Sequence, residues 1–452
     1  MIPVRLQRST LLELHSVFPQ RYPALFESSA SGEPLGRYDI LFACPTQVLT
    51  LDAAGELASD SSHAKGQTFL DALDAWWRAE RVDESNVHLP FRGGWLLFLS
   101  YELAQQVEPR LQLPQPAHGP IAQAVRIPAA IVFRHDSSEA WILAEPHAAD
   151  AVSQIQDDAA AAASAPQWQS ELIEGEIDEE KPQAFLDAVE RALDYIAAGD
   201  IYQANLSRAW RARLKEGVQP HQVYRRLRET NPSPFAALAR FGELTIASSS
   251  PERLVQVNRG WVATRPIAGT RPRGHNFGSD EVLARELRAH PKERAEHVML
   301  LDLERNDLGK ICTAGSVEVD EFMALESYAH VHHIVSNVRG QLRPDVSPGG
   351  VVRAVFPGGT ITGCPKIRCM EIIGELEGEA RGPYTGSLGY LNRDGSMDLN
   401  ILIRSVELRD RELTIRAGAG IVADSIPERE LEETRAKARG VLRALTQPWG
   451  PR

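Results

Sequence analysis

The stretch FPGGTITGCPKIRCMEII, residues 356–373, is the part of the sequence around which the rest is organised. Three glycines, two prolines and two threonines fall within its first eleven residues, and a helical run follows from about Lys366. Glycine lets backbone N–H groups approach a ligand closely, and the N-terminus of a helix favours an anion. Such a turn on its own is typical of an ordinary strand–turn–helix, so its meaning depends on the motifs that accompany it.

The composition is that of a globular protein without a nucleic-acid surface. The 452 residues are 43% hydrophobic and 24% charged, with a formal net charge of −12. This charge argues against binding to nucleic acid or an anionic membrane, although a local basic pocket for a small anion is compatible with it. No membrane helix or signal peptide is expected. The four cysteines have neither zinc nor disulfide spacing, which favours the cytoplasm.

The chain divides at an alanine-rich segment, residues 149–175, which we interpret as a linker. It separates an N-terminal region, 1–148, from a second region, 176–446, in which many strands flank few helices. Because the elements do not alternate as βαβ units, we expect an α+β fold with large antiparallel sheets. The glycine-containing segments PIAGTRPRG, 266–274, and GAG, 418–420, are expected to be turns.

Two pairs of glutamates are candidates for a metal site. Glu293 and Glu296 lie on a helix predicted to begin at Pro291, and Glu430 and Glu433 have the same spacing on the last predicted helix. Residues at i and i+3 share a helix face, so each pair presents its oxygens side by side. Two such helices facing each other would suit Mg²⁺, although an ExxE pair is more often part of a solvated surface.

Four further residues are candidates for proton transfer or for contacts with an anionic ligand. Arg404 lies in the run NILIRSVEL, which predicts a strand, and a buried charge there needs a structural partner or a ligand carboxylate. Lys437, on the last helix, is either solvated or a second anion contact. One of His332 and His333, in AHVHHIVSNV, must face inward if this segment is a strand, and it is either a core histidine or a ligand contact. Glu252 follows SSSP at a strand end, where a general acid could be held.

Ten ordered blocks between about residues 180 and 446 resemble the chorismate-utilising enzymes, which include anthranilate, aminodeoxychorismate, isochorismate and salicylate synthases. The blocks are GDIYQANLSR, NPSPFAALARF, SSSPERL, PIAGTRPRG, KERAEHVMLLDLERNDLGKI, HHIVSNVRG, FPGGTITGCPKIRCMEIIGELE, RGPYTGSLGYLN, MDLNILIRSV and AGAGIVADSIPERELEET. The N-terminal region matches more loosely, through LFESSASGEPLGRYDILFACP and LPFRGGWLLFLSYELA. The resemblance implies two large, mainly antiparallel β-sheets packed together and flanked by helices, with the N-terminal segment interleaved with the C-terminal one.

The resemblance also implies roles for single residues. Glu252 would be the general acid at the departing C4 hydroxyl of chorismate. The residues implied to hold Mg²⁺ are Glu293, Glu296, Glu430 and Glu433. The residues implied to bind chorismate are Arg404, Tyr384, Lys437, Gly418, Gly420, Gly269, Thr270 and Thr360, with His333 nearby.

Two positions bear on the nucleophile. Gln203 stands where the water-using members of the family have a lysine, and because glutamine cannot deprotonate water, the resemblance implies ammonia. No glutaminase signature is present, so the ammonia would come from a separate glutamine amidotransferase subunit. Ala268 stands where aminodeoxychorismate synthases usually have a nucleophilic lysine, and PIAGT is the form found in anthranilate synthases; an alanine cannot form a covalent adduct.

Other blocks, FPGGT, HVHHIVS, DIYQANLSR and RGGWLLFLSYELA, resemble aminodeoxychorismate synthase. We therefore expect amination of chorismate at C4, for 4-aminobenzoate and folate synthesis, with anthranilate formation as the alternative. In the second case the segment LFESS, 25–29, could belong to a tryptophan feedback site. A third possibility is a chorismate-fold protein that only binds a partner, against which the intact glutamate pairs, Arg404 and Lys437 argue.

Overall fold

A computed structural model describes residues 1–28, 36–83, 88–162, 169–273, 277–289, 291–327 and 331–447. Within a few helices and strands it describes only the backbone, and Ala268, Thr270 and Glu293 are among the residues whose side chains lie outside the description.

The described helices are α1 (Ser9–Val17), α2 (Phe69–Glu80), α3 (Ala104–Val107), α4 (Asp150–Ala161), α5 (Pro182–Ala197), α6 (Pro220–Thr230), α7 (Phe277–Ala289), α8 (Pro291–Gly309), α9 (Pro348–Val355), α10 (Lys366–Glu377) and α11 (Pro427–Thr446). Short 3₁₀ turns occur at Tyr101–Leu103, Pro146–Ala148 and Gly359–Ile361. In this part of the chain no helix has the length and apolar character needed to cross a membrane.

The described strands are β1 (Ile2–Val4), β2 (Ala24–Glu27), β3 (Tyr38–Ala43), β4 (Val48–Asp52), β5 (Leu57–Ser59), β6 (Gly94–Leu99), β7 (Pro120–Ile127), β8 (Ala129–Arg134), β9 (Glu139–Ala144), β10 (Ile173–Glu179), β11 (Gln203–Leu214), β12 (Phe235–Phe241), β13 (Leu244–Ser250), β14 (Arg253–Asn258), β15 (Trp261–Arg265), β16 (Ile267–Pro272), β17 (Glu318–Ser327), β18 (Val331–Gln341), β19 (Gly363–Cys364), β20 (Ser387–Asn392), β21 (Met397–Asn400), β22 (Ser405–Arg409) and β23 (Glu412–Ile421).

These strands form two antiparallel sheets. The first sheet has the order β1-β9-β8-β3-β2-β12-β13-β22-β23-β11-β10, with β19 also paired to β11. The second has the order β16-β18-β15-β14-β21-β20-β6-β7-β4-β5, with β17 also paired to β18. The fold is the expected one of two large antiparallel sheets with flanking helices.

The two sheets pack face to face, with helices on their outer faces. Phe98 of β6 stacks on Phe241 of β12 with ring centroids 5.2 Å apart, in the apolar layer between the sheets. A second apolar cluster lies under α1, α4, α6 and α11, and a third includes residues of α2, α9 and α10. Strands that are buried on both faces of their sheet explain the continuous apolar runs in the sequence.

The N-terminal region is interleaved with the rest of the chain. Strand β2 pairs with β12 in the first sheet, and β6 pairs with β20 in the second. Residues 1–148 therefore share both sheets with residues 176–446. Between the two regions, α4 packs with Ile155 buried and β10 begins at Ile173, so much of the predicted linker is regular structure.

Two expected turns are parts of strands. Residues 267–272 form β16, with a break in the pairing register at Gly269, whose φ of 69° accommodates a β-bulge. The GAG segment at 418–420 lies within β23. Within β23, atoms of the adjacent strand β11 lie too close to Gly418 and Gly420 to leave room for a Cβ atom. This contact between strands cannot be read from the local sequence.

Candidate active site

The candidate site is built where the chain passes twice between the two sheets. Pro251 and Glu252 connect β13 of the first sheet with β14 of the second, and residues 401–404 connect β21 with β22 in the opposite direction. The amide of Ile401 donates to the carbonyl of Glu252 at 3.0 Å, and the amide of Ser249 donates to that of Arg404 at 3.2 Å. The two crossings therefore lie side by side.

Glu252 is a buried carboxyl with a strongly perturbed acidity. Its side chain is 5% exposed, and its Oε1 has no hydrogen-bond partner in the described part of the chain. Burial, together with a smaller effect of the charge of Glu304, raises the pKa of Glu252 to about 7, although the Thr360 hydroxyl, the Ile267 amide and Arg404 oppose the increase. A carboxyl with this pKa holds a proton near neutral pH and can act as a general acid.

Arg404 does not lie in a strand, in contrast to the prediction from NILIRSVEL. Its φ is 51°, and it is the last residue of the crossing before β22. Burial lowers the pKa of its guanidinium, and the charge of Glu252 opposes this. The left-handed backbone is part of the bend between the sheets, a tertiary feature that an apolar run cannot signal.

His333 is buried beside Arg404, on β18. Burial lowers its pKa to about 3, helped by the charge of Arg404 and opposed by a hydrogen bond with the backbone of Gly269. The imidazole is therefore neutral at physiological pH. Its neighbour His332 is also buried, and it contacts Asp280 at 2.9 Å and Ser327 at 2.7 Å, as expected for a structural histidine.

A second group of polar side chains lies over the end of β23. In the pairing of β11 with β23, Asn205 is opposite Gly420. A Cβ atom on Gly418 would lie 2.6 Å from Asn205 Oδ1 and 2.8 Å from the Tyr384 hydroxyl, and one on Gly420 would lie 2.6 Å from Gln203 Nε2. The two glycines therefore allow these polar groups to lie directly on the strand.

Several polar atoms in both groups have no partner. Besides Glu252 Oε1, the buried atoms Gln203 Oε1 and Asn205 Oδ1 form no hydrogen bond within the described residues. Buried polar atoms are normally paired, so a cluster of unpaired ones marks a place where a polar ligand binds.

Tyr384 is held by a buried arginine. The guanidinium carbon of Arg381 lies 5.7 Å from the Tyr384 ring centroid, and Arg381 also donates to Glu377 and to the carbonyl of Asn205. Burial raises the pKa of Tyr384 to about 12, so the phenol remains protonated and can donate a hydrogen bond.

The predicted glutamate ligands approach this strand end from two helices. Glu296 of α8 accepts from Gln203 Nε2 at 2.9 Å. On α11, Glu433 pairs with Lys437 at 2.8 Å, and Lys437 Nζ donates to the carbonyl of Gly418 at 3.0 Å. Glu430 lies one turn before Glu433 on α11.

The donors of these carboxylate side chains are all oxygens, which is the chemistry that a hard cation prefers. Among the described side chains, no three His, Cys, Asp or Glu residues are close enough together to hold a metal ion. The side chain of Glu293, the fourth predicted ligand, lies outside that description.

The two polar groups are joined by the central loop, residues 356–365. Thr360 is next to Glu252, and the carbonyl of Thr362 accepts from the amide of Asn205 at 2.9 Å. Two residues of chain span at most about 7.6 Å between Cα atoms, so the groups adjoin one another. The amide of Thr385, next to Tyr384, donates to the carbonyl of Leu402 at 2.7 Å.

Comparison with known proteins identifies the family. Residues 30–443 match the family described as chorismate binding enzymes. The chain belongs to the chorismate-binding enzymes. It is 44% identical over 363 residues to the anthranilate synthase component I-like protein of Synechocystis sp., covering 79% of this chain and 74% of that protein. It is 40% identical over 389 residues to aminodeoxychorismate synthase component 1 of Bacillus subtilis, covering 83% and 82%.

The fold is that of solved members of the family. The crystal structure of anthranilate synthase component I from Streptococcus pneumoniae superposes with a TM-score of 0.80 at 32% identity, covering 91% of this chain and 93% of the other. The isochorismate synthase of Escherichia coli, at 18% identity and a TM-score of 0.72, shares the fold. Relatives with two different names match this chorismate-binding enzyme, so they establish the family and leave the reaction open.

Two residues of this chorismate-binding enzyme escaped the sequence analysis. Asn205 follows Gln203 by two positions on β11, and the period-two pattern of a strand places both on one face. Glu304 lies on α8 in the same buried stripe as Leu300 and Leu308. A carboxylate at an apolar position of a helix is a signal that the sequence does contain.

The structure also has a cavity between the sheets, of about 570 Å³, lined in part by Phe26, Glu27, Ser28, Phe235 and Tyr390. It includes part of the LFESS segment. None of the residues proposed to bind chorismate lines it.

Proposed function

We propose that this chorismate-binding enzyme aminates chorismate with ammonia at C4, giving 4-amino-4-deoxychorismate for 4-aminobenzoate and folate synthesis. The observation that carries the proposal is the buried carboxyl of Glu252, whose pKa is about 7 and which lies beside Arg404 among polar atoms without partners. A group that must protonate a departing hydroxyl needs this combination of burial and retained proton.

Substrate binding is assigned to the cationic and polar groups around Glu252. Arg404, Lys437 and the Tyr384 hydroxyl bind the carboxylates of chorismate, with the backbone of β23 between Gly418 and Gly420. The side chains proposed to hold Mg²⁺ are Glu293, Glu296, Glu430 and Glu433. When bound, Mg²⁺ neutralises and orients the ring carboxylate. Thr360 of the central loop, Gly269 and Thr270 line the ring pocket, with His333 nearby.

The chemical step exchanges one bond at C4 for another. The nitrogen of ammonia forms a bond to C4 while the C4–O bond breaks, and Glu252 gives its proton to the departing oxygen so that water leaves. The C4 ammonium group then loses a proton, which restores the acid form of Glu252. Gln203, whose amide has no basic lone pair, cannot activate water, and this supports ammonia as the nucleophile.

We further propose that the ammonia comes from a glutamine amidotransferase subunit. The Bacillus subtilis and Streptococcus pneumoniae relatives are named component 1 and component I of their enzymes, which supports a second subunit in this case too.

A second candidate is anthranilate formation, in which ammonia adds at C2 while the C4 hydroxyl leaves as water, and pyruvate is then eliminated together with the C2 proton. Two observations favour it. Ala268 occupies the position of the usual lysine of aminodeoxychorismate synthases, and it lies on β16 next to the Gly269 bulge. The cavity lined by Phe26, Glu27 and Ser28 could bind tryptophan as a feedback inhibitor.

Product identification tests the proposal. Purified protein is incubated with chorismate, Mg²⁺ and ammonium at mildly alkaline pH, and the products are separated by mass. A product that keeps the enolpyruvyl group, and that an added lyase converts to 4-aminobenzoate, is expected. Fluorescent anthranilate with released pyruvate would establish the second candidate, and unchanged chorismate would contradict both.

A further inference from the structure

A second buried carboxyl lies close to the general acid. Glu304 is on the apolar face of α8, only 6% exposed, where Leu300 and Leu308 are 5% and 0% exposed. Burying an ionised carboxylate at such a position costs free energy of folding unless nearby groups compensate the charge. A structural or catalytic role is therefore expected for Glu304.

Glu304 contacts the central loop directly. Its Oε1 lies 3.4 Å from the position that a Cβ atom on Gly359 would occupy, and Leu303 lies closer still, at 2.4 Å. The next residue of the loop, Thr360, is the one beside Glu252. Two consecutive loop residues therefore adjoin the two carboxyl groups, Gly359 beside Glu304 and Thr360 beside Glu252.

Both carboxyls have raised pKa values, and the charge of Glu304 contributes to that of Glu252. Burial raises the pKa of Glu304 to about 7, as does Asp307, while Lys366, the Thr264 hydroxyl and the Gly359 amide lower it. The charge of Glu304 in turn raises the pKa of Glu252. Two interacting buried carboxyls resist ionising together, and they titrate as a pair.

The other charged groups near the pair are largely engaged elsewhere. Asp307 pairs with Lys310 and Lys366, and Arg265 of β15 pairs with Glu321 and Glu326. Arg404 adjoins Glu252, and His333 of β18 is neutral at physiological pH. Glu304 is therefore the nearby anion that acts on Glu252.

We propose that Glu304 is a positioning residue for the reaction, which keeps the proton on Glu252 through the negative charge that it places beside the central loop. This inference rests on the proposed function, because it assigns Glu252 the role of proton donor. Glu304 itself does not touch the substrate; its effect passes through Glu252.

The pH dependence of Glu304→Gln tests the proposal. Glu252 must be protonated to act, and its pKa falls when the neighbouring charge is removed, so the alkaline limb of kcat/KM for chorismate consumption moves to lower pH. We expect the midpoint of this limb to shift by about half a pH unit to one pH unit. One neighbouring like charge whose field is partly screened changes a pKa by about this much. The rate at pH 8 then falls about three- to tenfold, while the rate at pH 6 stays within about twofold. Free ammonia is kept saturating at each pH.

Two variants serve as controls. Asp302→Asn removes a charge from the same helix, but on its exposed face, where Asp302 pairs with Arg305, and its profile is expected to match that of the wild type. Glu304→Asp keeps the charge and is expected to keep the alkaline limb.

The outcomes separate this inference from the proposed function. Chorismate that the wild type leaves unchanged would contradict the function. An active wild type with a folded Glu304→Gln variant of identical pH profile would overturn the role of Glu304 alone.

A second measurement follows the proton of Glu252 itself. The infrared C=O band that Glu252→Gln removes is assigned to Glu252 and is titrated in the wild type and in Glu304→Gln. We expect this band to disappear at lower pH in Glu304→Gln, and an unchanged midpoint would overturn the role of Glu304.

Discussion

Glu252 and Arg404 lie side by side at the two places where the chain crosses between the sheets, and each crossing holds the other through backbone hydrogen bonds. The amide of Ile401 donates to the carbonyl of Glu252, and the amide of Ser249 donates to the carbonyl of Arg404. The acid and the cation are thus fixed by the topology of the fold as well as by their side chains. The relationship explains how one buried site can hold both groups without a direct ion pair.

The alkaline limb of the wild-type pH profile is expected near pH 7. The pKa of Glu252 is raised to about 7, mainly by burial, so its acid form is lost as the pH rises through that value. We expect kcat/KM for chorismate to fall about tenfold for each pH unit above the limb. The measurement is chorismate consumption at saturating free ammonia, and a profile that stays flat to pH 9 would exclude Glu252 as the acid.

Replacing Arg404 by methionine is expected to weaken substrate binding. A charge-assisted contact with a carboxylate contributes about 1.5–3 kcal/mol, which corresponds to a KM about ten- to a hundredfold higher. Because Arg404 lowers the pKa of Glu252, the same variant should move the alkaline limb to higher pH. Arg305→Met, which removes an exposed arginine from α8, is the control, and equal effects of both variants would contradict the assignment.

The glutamates of α11 allow a matched test of the metal site. Glu433→Gln is expected to raise the Mg²⁺ concentration needed for half-maximal rate by about tenfold or more, since one anionic oxygen ligand is lost. Glu432→Gln changes the adjacent residue, which pairs with Arg435 at the surface, and should leave the Mg²⁺ dependence unchanged. Identical Mg²⁺ titrations of the Glu433 variant and the wild type would refute the metal assignment.

A methyl group on Gly418 is expected to disturb both packing and binding. The new Cβ would lie 2.6 Å from Asn205 Oδ1 and from the carbonyl of Leu206, so the paired strand must shift. Overpacking of this kind costs about 1–3 kcal/mol, which urea unfolding can measure, and the KM for chorismate should rise. Gly309→Ala, at a site with no atom within 4 Å of the new Cβ, is the control. A Gly418→Ala variant with unchanged stability and KM would contradict the claim that the atoms around Gly418 leave no room for a side chain.

Much of the architecture was predictable from ordered motifs and local periodicity. Helix α8 begins at Pro291 and α10 at Lys366, as the sequence indicates, because proline and the periodic apolar residues are local signals. The glutamate pairs on α8 and α11 follow from the i, i+3 geometry of any helix.

The remainder depends on contacts between distant parts of the chain. The apolar residues of NILIRSVEL predict a strand at Arg404, whereas the chain bends there to change sheets. Gly418 was placed in a turn because glycine favours turns, whereas Asn205 and Tyr384 require it within a strand. Glu304 could have been found from the sequence, since it interrupts the apolar face of a predicted helix.

The most direct test of the account is the turnover of Glu252→Gln. This variant keeps the size of the side chain but has no acidic proton. We expect calorimetry to show chorismate binding in the presence of Mg²⁺ within a few-fold of the wild type, with ammonia-dependent chorismate consumption reduced by about 10²- to 10⁴-fold. Glu243→Gln, an exposed position at the turn before β13, is the matched control. Turnover by a folded Glu252→Gln variant close to that of the wild type would contradict the central claim.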